Sequence, residues 1–186
     1  YEMNPSLVGS EMCIRDNAVG VSQIFEVANQ LSELNLASTV KFATWGGEEL
    51  GLLGSQAYIE SNQEYIASLD LYINLDSTNL NPSKGLGTLG IETSDSKLVD
   101  SISKIQSSVL NNEEWNDYDA TVQVNQQGNS DHRAFNQFGT STIGFYGWEY
   151  EEYHRQTDVP NVVHHEGLAL TVETVSYTHL TLPTTD

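Results

Sequence analysis

The stretch Trp45-Gly46-Gly47-Glu48-Glu49-Leu50-Gly51-Leu52-Leu53-Gly54-Ser55 sets two adjacent carboxylates behind an apolar run at 39–44. That run reads as a buried strand. In open α/β sheets chemistry gathers outside the carboxyl ends of strands. Neighbouring side chains point different ways, so Glu48 and Glu49 can take different tasks. One can hold a metal while the other moves a proton. Alone, the pair is better explained as the acidic start of a helix, where negative charge is favoured.

Three further segments change that balance. Asp16-Asn17-Ala18, Asn74-Leu75-Asp76 and Tyr153-His154 each carry a carboxylate or an imidazole at a turn or strand end. Oxygen and nitrogen donors from separate strand ends are the ingredients of a hydrolytic zinc site. Each has a plainer reading: Asp16 as a helix cap, Asp76 as a turn residue, His154 as a surface histidine. Taken together with Glu48 and Glu49, the metal reading is the stronger. Other polar residues do less. Ser130-Asp131-His132 sets a serine beside a histidine, but sequence neighbours rarely form a triad, so the segment reads as a helix start lining a cleft. His164-His165 reads as a polar helix start. Asp158 either orients a ligand or makes the turn before Pro160. Tyr146, Trp148 and Tyr150 read as core before they read as a substrate pocket.

The elements that must position these groups alternate. Helical spacing predicts helices over 17–34, 48–62, 94–111, 130–138 and from 165 onward, with Asp16 or Asn17 capping the first. Strands are predicted over 39–44, 69–76, 89–91, 118–124 and 141–146, and 79–87 is a loop rich in Asn, Pro and Gly. Alternation of this kind predicts a three-layer α/β/α fold with a largely parallel central sheet, incomplete at both ends.

The ends have a history of their own. Glu11-Met12-Cys13-Ile14-Arg15-Asp16 and Val175-Ser176-Tyr177-Thr178-His179-Leu180 can be encoded by the two complementary strands of one DNA segment. That DNA resembles a sequencing-library adapter. Residues 1–15 and 175–186 are therefore read as adapter translation that should pack poorly, and 16–174 as part of one catalytic domain. Cys13, the only cysteine, falls in the adapter-like part, so cysteine usage says nothing of the redox compartment.

The formal net charge is −19. This argues against nucleic acid and anionic membrane surfaces as partners. No apolar run approaches the ~20 residues of a membrane helix. There are no internal repeats.

Five motifs carry a family resemblance when read in chain order. They are Asp16-Asn17-Ala18-Val19-Gly20-Val21, the Trp45 to Ser55 block, Ile73-Asn74-Leu75-Asp76, Ser130-Asp131-His132-Arg133-Ala134-Phe135, and Tyr153-His154 with Asp158. Together they resemble the di-zinc aminopeptidase family that includes aminopeptidase Y and the secreted bacterial leucyl aminopeptidases. The resemblance implies two Zn2+ ions per intact site. Asp16 would bridge them, Asp76 would bind the first, and Glu49 and His154 the second. Glu48 would be the general base and Tyr153 would help stabilise the oxyanion. The family's first zinc is also held by a His upstream of the bridging Asp, where adapter-like residues stand here. The implied function is removal of the N-terminal residue from peptides with a free N-terminus, outside the cytoplasm in the extracellular or periplasmic space. The alternatives are a carboxypeptidase or glutaminyl cyclase on the same fold, or a non-catalytic binding relative. The fragment itself is expected to be inactive.

Overall fold

The computed structural model describes residues 18–148 and 150–181. Asp16, the adapter-like residues 1–15 and the tail 182–186 lie outside the described residues, as does the capping expectation on Asp16 or Asn17. The described elements in chain order begin with α1 (Val19–Ser32), α2 (Leu53–Ser61), α3 (Gln63–Ile66), β1 (Tyr72–Asp76) and β2 (Thr88–Thr93). They continue with α4 (Val99–Leu110), β3 (Asp119–Val124), α5 (His132–Phe138), β4 (Thr142–Tyr146) and α6 (His165–Thr181).

The four strands form one sheet in the order β1-β4-β2-β3. β1 runs parallel to β4 with Tyr72 opposite Thr142, and β2 runs parallel to β3 with Thr88 opposite Asp119. β2 and β4 are antiparallel. Helices cover both faces, with α1, α4 and α6 packed on one another on one side and α2 with α5 on the other. This is the layered α/β architecture the alternation predicts.

Strand periodicity divides the core in two. Leu89 and Ile91 of β2 and Ile143 and Phe145 of β4 are fully buried against Val27, Leu31, Ile102 and Leu170, with Ile73 and Leu75 of β1 packed on the same cluster. The intervening residues face the opposite way. There Tyr72 joins a smaller cluster of Ile59, Ile66, Ala134 and Phe135. The second face is unusually polar: Asn74, Glu92 and His132 are all buried there.

α1 is held close to the sheet because residue 20 has no side chain. A Cβ on Gly20 would sit 2.6 Å from the Leu75 carbonyl oxygen. This seats the start of α1 at the carboxyl end of β1.

Three expectations need correction. Residues 39–44 form no strand; the run is irregular, largely exposed and outside the sheet. A strand needs a hydrogen-bonded neighbour, and among the described residues this run has none. The helix expected over 48–62 starts only at Leu53. Gly47, Gly51 and Leu52 take positive φ, which breaks a right-handed helix. Residues 175–179 do not pack poorly. α6 continues through them and buries Val175, Ser176 and Thr178. Val175 and Thr178 extend the stripe of Thr171 and Thr174 at helical spacing, so the same face stays against the core.

Candidate active site

The acidic block sits in a loop pinned at its two ends. Gly54 N–H donates to the Gly46 carbonyl at 2.9 Å, and Leu53 N–H donates to the Gly47 carbonyl at 3.1 Å. The Glu48 carbonyl accepts from Gly51 at 2.9 Å and Leu52 at 2.8 Å. A Cβ on Gly54 would come within 2.6 Å of the Gly46 carbonyl oxygen, so only glycine permits this closure. Glu48 and Glu49 are held at the crest of the loop, where both line a cavity of about 660 Å³.

Asp76 and Tyr153 line the same cavity. Asp76 reaches it from the last position of β1, opposite Tyr146. His154 comes from the long loop after β4, and its Nε2 lies 2.6 Å from Glu49 Oε1. Both side chains of that pair are accessible, 44% and 58% exposed. His154 has φ +55. Positive φ is uncommon outside glycine and is enriched at functional sites. Its ring stacks on Tyr153, with centroids 3.8 Å apart. Tyr153 in turn meets Tyr150 edge-on, and the Tyr150 hydroxyl donates to the fully buried Asp158 at 2.9 Å. Asp158 therefore secures the loop that carries Tyr153 and His154.

Below the cavity floor runs a chain of hydrogen bonds not anticipated from the sequence. Trp45 Nε1 donates to the Tyr72 hydroxyl at 2.9 Å, which donates to Asn74 Oδ1 at 2.9 Å. Asn74 Nδ2 donates to Ser130 Oγ at 3.2 Å. Ser55 Oγ donates to Asp131 Oδ1 at 2.5 Å. These bonds tie the acidic loop and α2 to β1 and to the start of α5. Burial drives the Tyr72 hydroxyl well above its ordinary range, so it stays a donor. Burial also raises the Asp131 carboxyl, against the Ser55 hydrogen bond. The signal available in the sequence was the polar alternation Tyr72, Asn74, Asp76 within an apolar strand.

Ser130 and His132 do not pair with each other. His132 Nε2 lies 2.6 Å from Glu92 Oε1, and both are buried. Burial alone would raise the Glu92 carboxyl. Hydrogen bonds from His132 and Asn125, the His132 charge and the Asn129 backbone outweigh it, and Glu92 is held below its usual range. His164 acts as a helix-start group: its Nδ1 accepts from Gly167 N–H at 3.4 Å and meets the Tyr118 hydroxyl at 3.3 Å. Tyr150 is buried, whereas Trp148 is half exposed against Tyr146.

The structure thus joins Glu49 to His154 and sets Glu48, Asp76 and Tyr153 around the same cavity. Among the described residues no group of three or more His, Cys, Asp or Glu stands close enough to hold a metal. Asp16 lies outside them. The donor chemistry nonetheless suits zinc, since an accessible carboxylate and imidazole already converge.

Comparison with known proteins sets this geometry in context. The chain is 42% identical over 65 residues to "Probable lipoprotein aminopeptidase LpqL" of Mycobacterium tuberculosis, a match covering 34% of this chain and 13% of that protein. It is 41% identical over 64 residues to leucine aminopeptidase 2 of Trichophyton rubrum, again 34% of this chain and 13% of the relative. The matched stretch is thus a small part of either relative's length. Among solved structures, the zinc aminopeptidase BSAP from Bacillus subtilis superposes with a TM-score of 0.71 at 23% identity, covering 89% of this chain and 41% of that one. LapB from Legionella pneumophila gives a TM-score of 0.73 at 16% identity, covering 92% and 48%. These structural likenesses bear on the fold. The pattern of peptidase family M28 matches residues 6–179, nearly the whole chain, and the chain belongs to that family.

Proposed function

We propose that the parent of this chain is a zinc-dependent aminopeptidase. The observation that carries the reading is the Glu49–His154 pair, 2.6 Å apart and accessible, at a cavity that Glu48, Asp76 and Tyr153 also line. Glu49 and His154 would hold one zinc, and Asp76 with Asp16 would contribute to a second. Zinc, when bound, polarises a carbonyl and lowers the pKa of water toward neutrality.

This chain's own groups do the rest. Glu48 takes a proton from the attacking water and returns it to the leaving amine. The pinned loop holds it beside Glu49 at the cavity. The Tyr153 hydroxyl faces the charge that develops on the carbonyl oxygen. Its ring is fixed by stacking on His154 and by the edge contact with Tyr150. Peptides with a free N-terminus are the proposed substrates. By family resemblance the parent works in the extracellular or periplasmic space, which cell fractionation would test.

The experiment is a paired substitution in the full-length parent, read by zinc titration and by hydrolysis of an amino-acid anilide. Glu48→Gln should keep its zinc and lose on the order of 10²–10⁴ in turnover, the usual share of a general base. Glu49→Gln should lose zinc affinity first, since a neutral amide is a poorer ligand than a carboxylate. Full turnover in Glu48→Gln would end the proposed mechanism. The chain itself, lacking the upstream His of the family pattern, should hydrolyse the anilide slowly or not at all.

A further inference from the structure

We infer that one face of α5 sets where Glu48 and Glu49 stand, with Asp131 as a positioning residue that acts through Ser55. The acidic loop closes on itself through the Gly54–Gly46 and Leu53–Gly47 backbone bonds. Closure fixes the loop's shape but not its place. Its place is set at two stems, Trp45 before it and Ser55 after it. Ser55 is fully buried, and its Oγ donates to Asp131 Oδ1 at 2.5 Å. The same hydroxyl lies 3.2 Å from the carbonyl of Leu52, the left-handed residue that ends the loop.

The other stem meets the same helix. The Trp45 ring centroid lies 5.8 Å from that of Phe135, and Trp45 Nε1 donates to the Tyr72 hydroxyl. The Tyr72 ring stacks on Phe135 with centroids 3.8 Å apart. Asp131 and Phe135 are four residues apart, so they share one face of the helix. α5 therefore grips both stems at once. It is itself fastened to β2 by the buried His132–Glu92 contact at 2.6 Å. The sheet that ends in Asp76 and the loop that carries Glu48 and Glu49 are thus registered to each other through α5.

The local role of Asp131 does not explain its side chain. An Asp at a helix start ordinarily accepts from the amides of the first turn. Among the described residues the Asp131 carboxylate caps none of them, and its backbone is already helical at φ −53 and ψ −27. The carboxylate is instead buried and turned to a hydroxyl on another helix. Burial raises its carboxyl, which works against stability. A fixed distance between α5 and the loop is what that arrangement provides. Catalytic groups must be held to a fraction of an ångström, and a misplacement of ~1 Å can cost about a hundredfold in rate.

Two measurements test this; only the second rests on the aminopeptidase proposal. In hydrogen exchange on the full chain, Ser55→Ala and Asp131→Ala should each speed the amides of Gly51, Leu52 and Leu53 roughly two- to tenfold, the worth of one hydrogen bond. Asp131→Asn keeps an oxygen for Ser55 and should exchange as wild type. Ile102→Val, a comparable loss in the remote core, should leave the loop unmoved. In the parent, Asp131→Ala should lower kcat on the order of 10–100-fold with KM moved less than about threefold. Asp131→Asn and Ile102→Val should keep wild-type turnover. Ser55→Ala removes the bond with α5 untouched, so the test survives a poorly folding Asp131→Ala. Unchanged loop exchange in Ser55→Ala would overturn the inference. So would Asp131→Asn as impaired as Asp131→Ala, or wild-type turnover in Asp131→Ala. Should Glu48→Gln keep full turnover, the mechanism fails and the exchange measurement decides the placement by itself.

Discussion

Replacing His132 by leucine should destabilise the protein by about 3–5 kcal/mol, the cost of breaking a buried ion pair by removing one partner. The structure shows why the site is so sensitive. The His132 and Glu92 side chains are 6% and 1% exposed, with Nε2 and Oε1 2.6 Å apart. Glu92 Oε2 accepts from Asn125 Nδ2 at 2.7 Å, so the carboxylate is fully engaged. The shorter apolar side chain would fill most of the imidazole volume but leave that carboxylate buried with one side-chain donor instead of two. Against a total stability of roughly 5–15 kcal/mol, this is a large fraction. At roughly 2–4 °C per kcal/mol for a chain of this size, Tm should fall by roughly 6–20 °C. The His132 Nδ1 atom is buried without a partner among the described residues, which works against the pair and places the loss toward the lower end.

The assay is urea unfolding followed by tryptophan fluorescence, with a double variant as control. Glu92→Met with His132→Leu removes both partners, and exchanging a buried pair for apolar groups is often close to neutral. The double variant should therefore recover most of the single variant's loss. A loss below about 1 kcal/mol in His132→Leu would refute the reasoning. So would two substitutions whose costs simply add, because contacting residues must couple.

Acid sensitivity follows from the same pair. Glu92 is held below its ordinary value of 4.5, so the unfolded chain takes up its proton first as pH falls. Its contribution is complete above that value and is lost as pH drops through the lower native one; the stability gap between wild type and Glu92→Gln should close across that window. Asp131 is raised and has the opposite sign: its carboxyl costs stability as pH rises from its ordinary value of 3.8 through the raised native one, so Asp131→Asn should gain relative to wild type across that window. Tyr72→Phe strips a partner from both Trp45 and Asn74, and a urea melt should show a loss of about 1–3 kcal/mol. Gly54→Ala drives a methyl into the Gly46 backbone, at 2.6 Å from its oxygen and 2.8 Å from its nitrogen. It should cost about 1–3 kcal/mol, and calorimetric titration of the parent should show weaker zinc binding because the displaced loop carries both carboxylates.

Much of the fold was legible because long helices announce themselves by periodicity. α1, α4 and the start of α6 lie within the expected ranges, as do β1, β3 and β4. The errors share a cause, which is that a local pattern cannot report a neighbour. Residues 39–44 have strand composition, but pairing is a property of two segments, and among the described residues no strand pairs with this run. Helix α2 started late because the sequence shows Gly47 and Gly51 without showing that Leu52 also turns left-handed. At the site, the meeting of Glu49 with His154 across 105 residues rested on a family resemblance rather than on any local signal. Glu92 went unremarked, since a lone Glu in an apolar strand gives no hint that His132 waits on the adjacent helix.

β1 ties these observations together. Its odd-numbered residues, Ile73 and Leu75, pack on the main core, while Tyr72 and Asn74 join the hydrogen-bonded polar side of the sheet and Asp76 ends the strand at the cavity. One strand therefore serves stability with one face and the candidate site with the other, and its register fixes both. On the β4 side that register is held by a full parallel ladder. On the other side the acidic loop is tied to β1 by side chains instead, above all the Trp45–Tyr72–Asn74 chain. A single side-chain hydrogen bond contributes about 0.5–1.5 kcal/mol net, and a strand ladder multiplies that by several bonds. Glu48 and Glu49 are consequently positioned by the weaker of the two attachments.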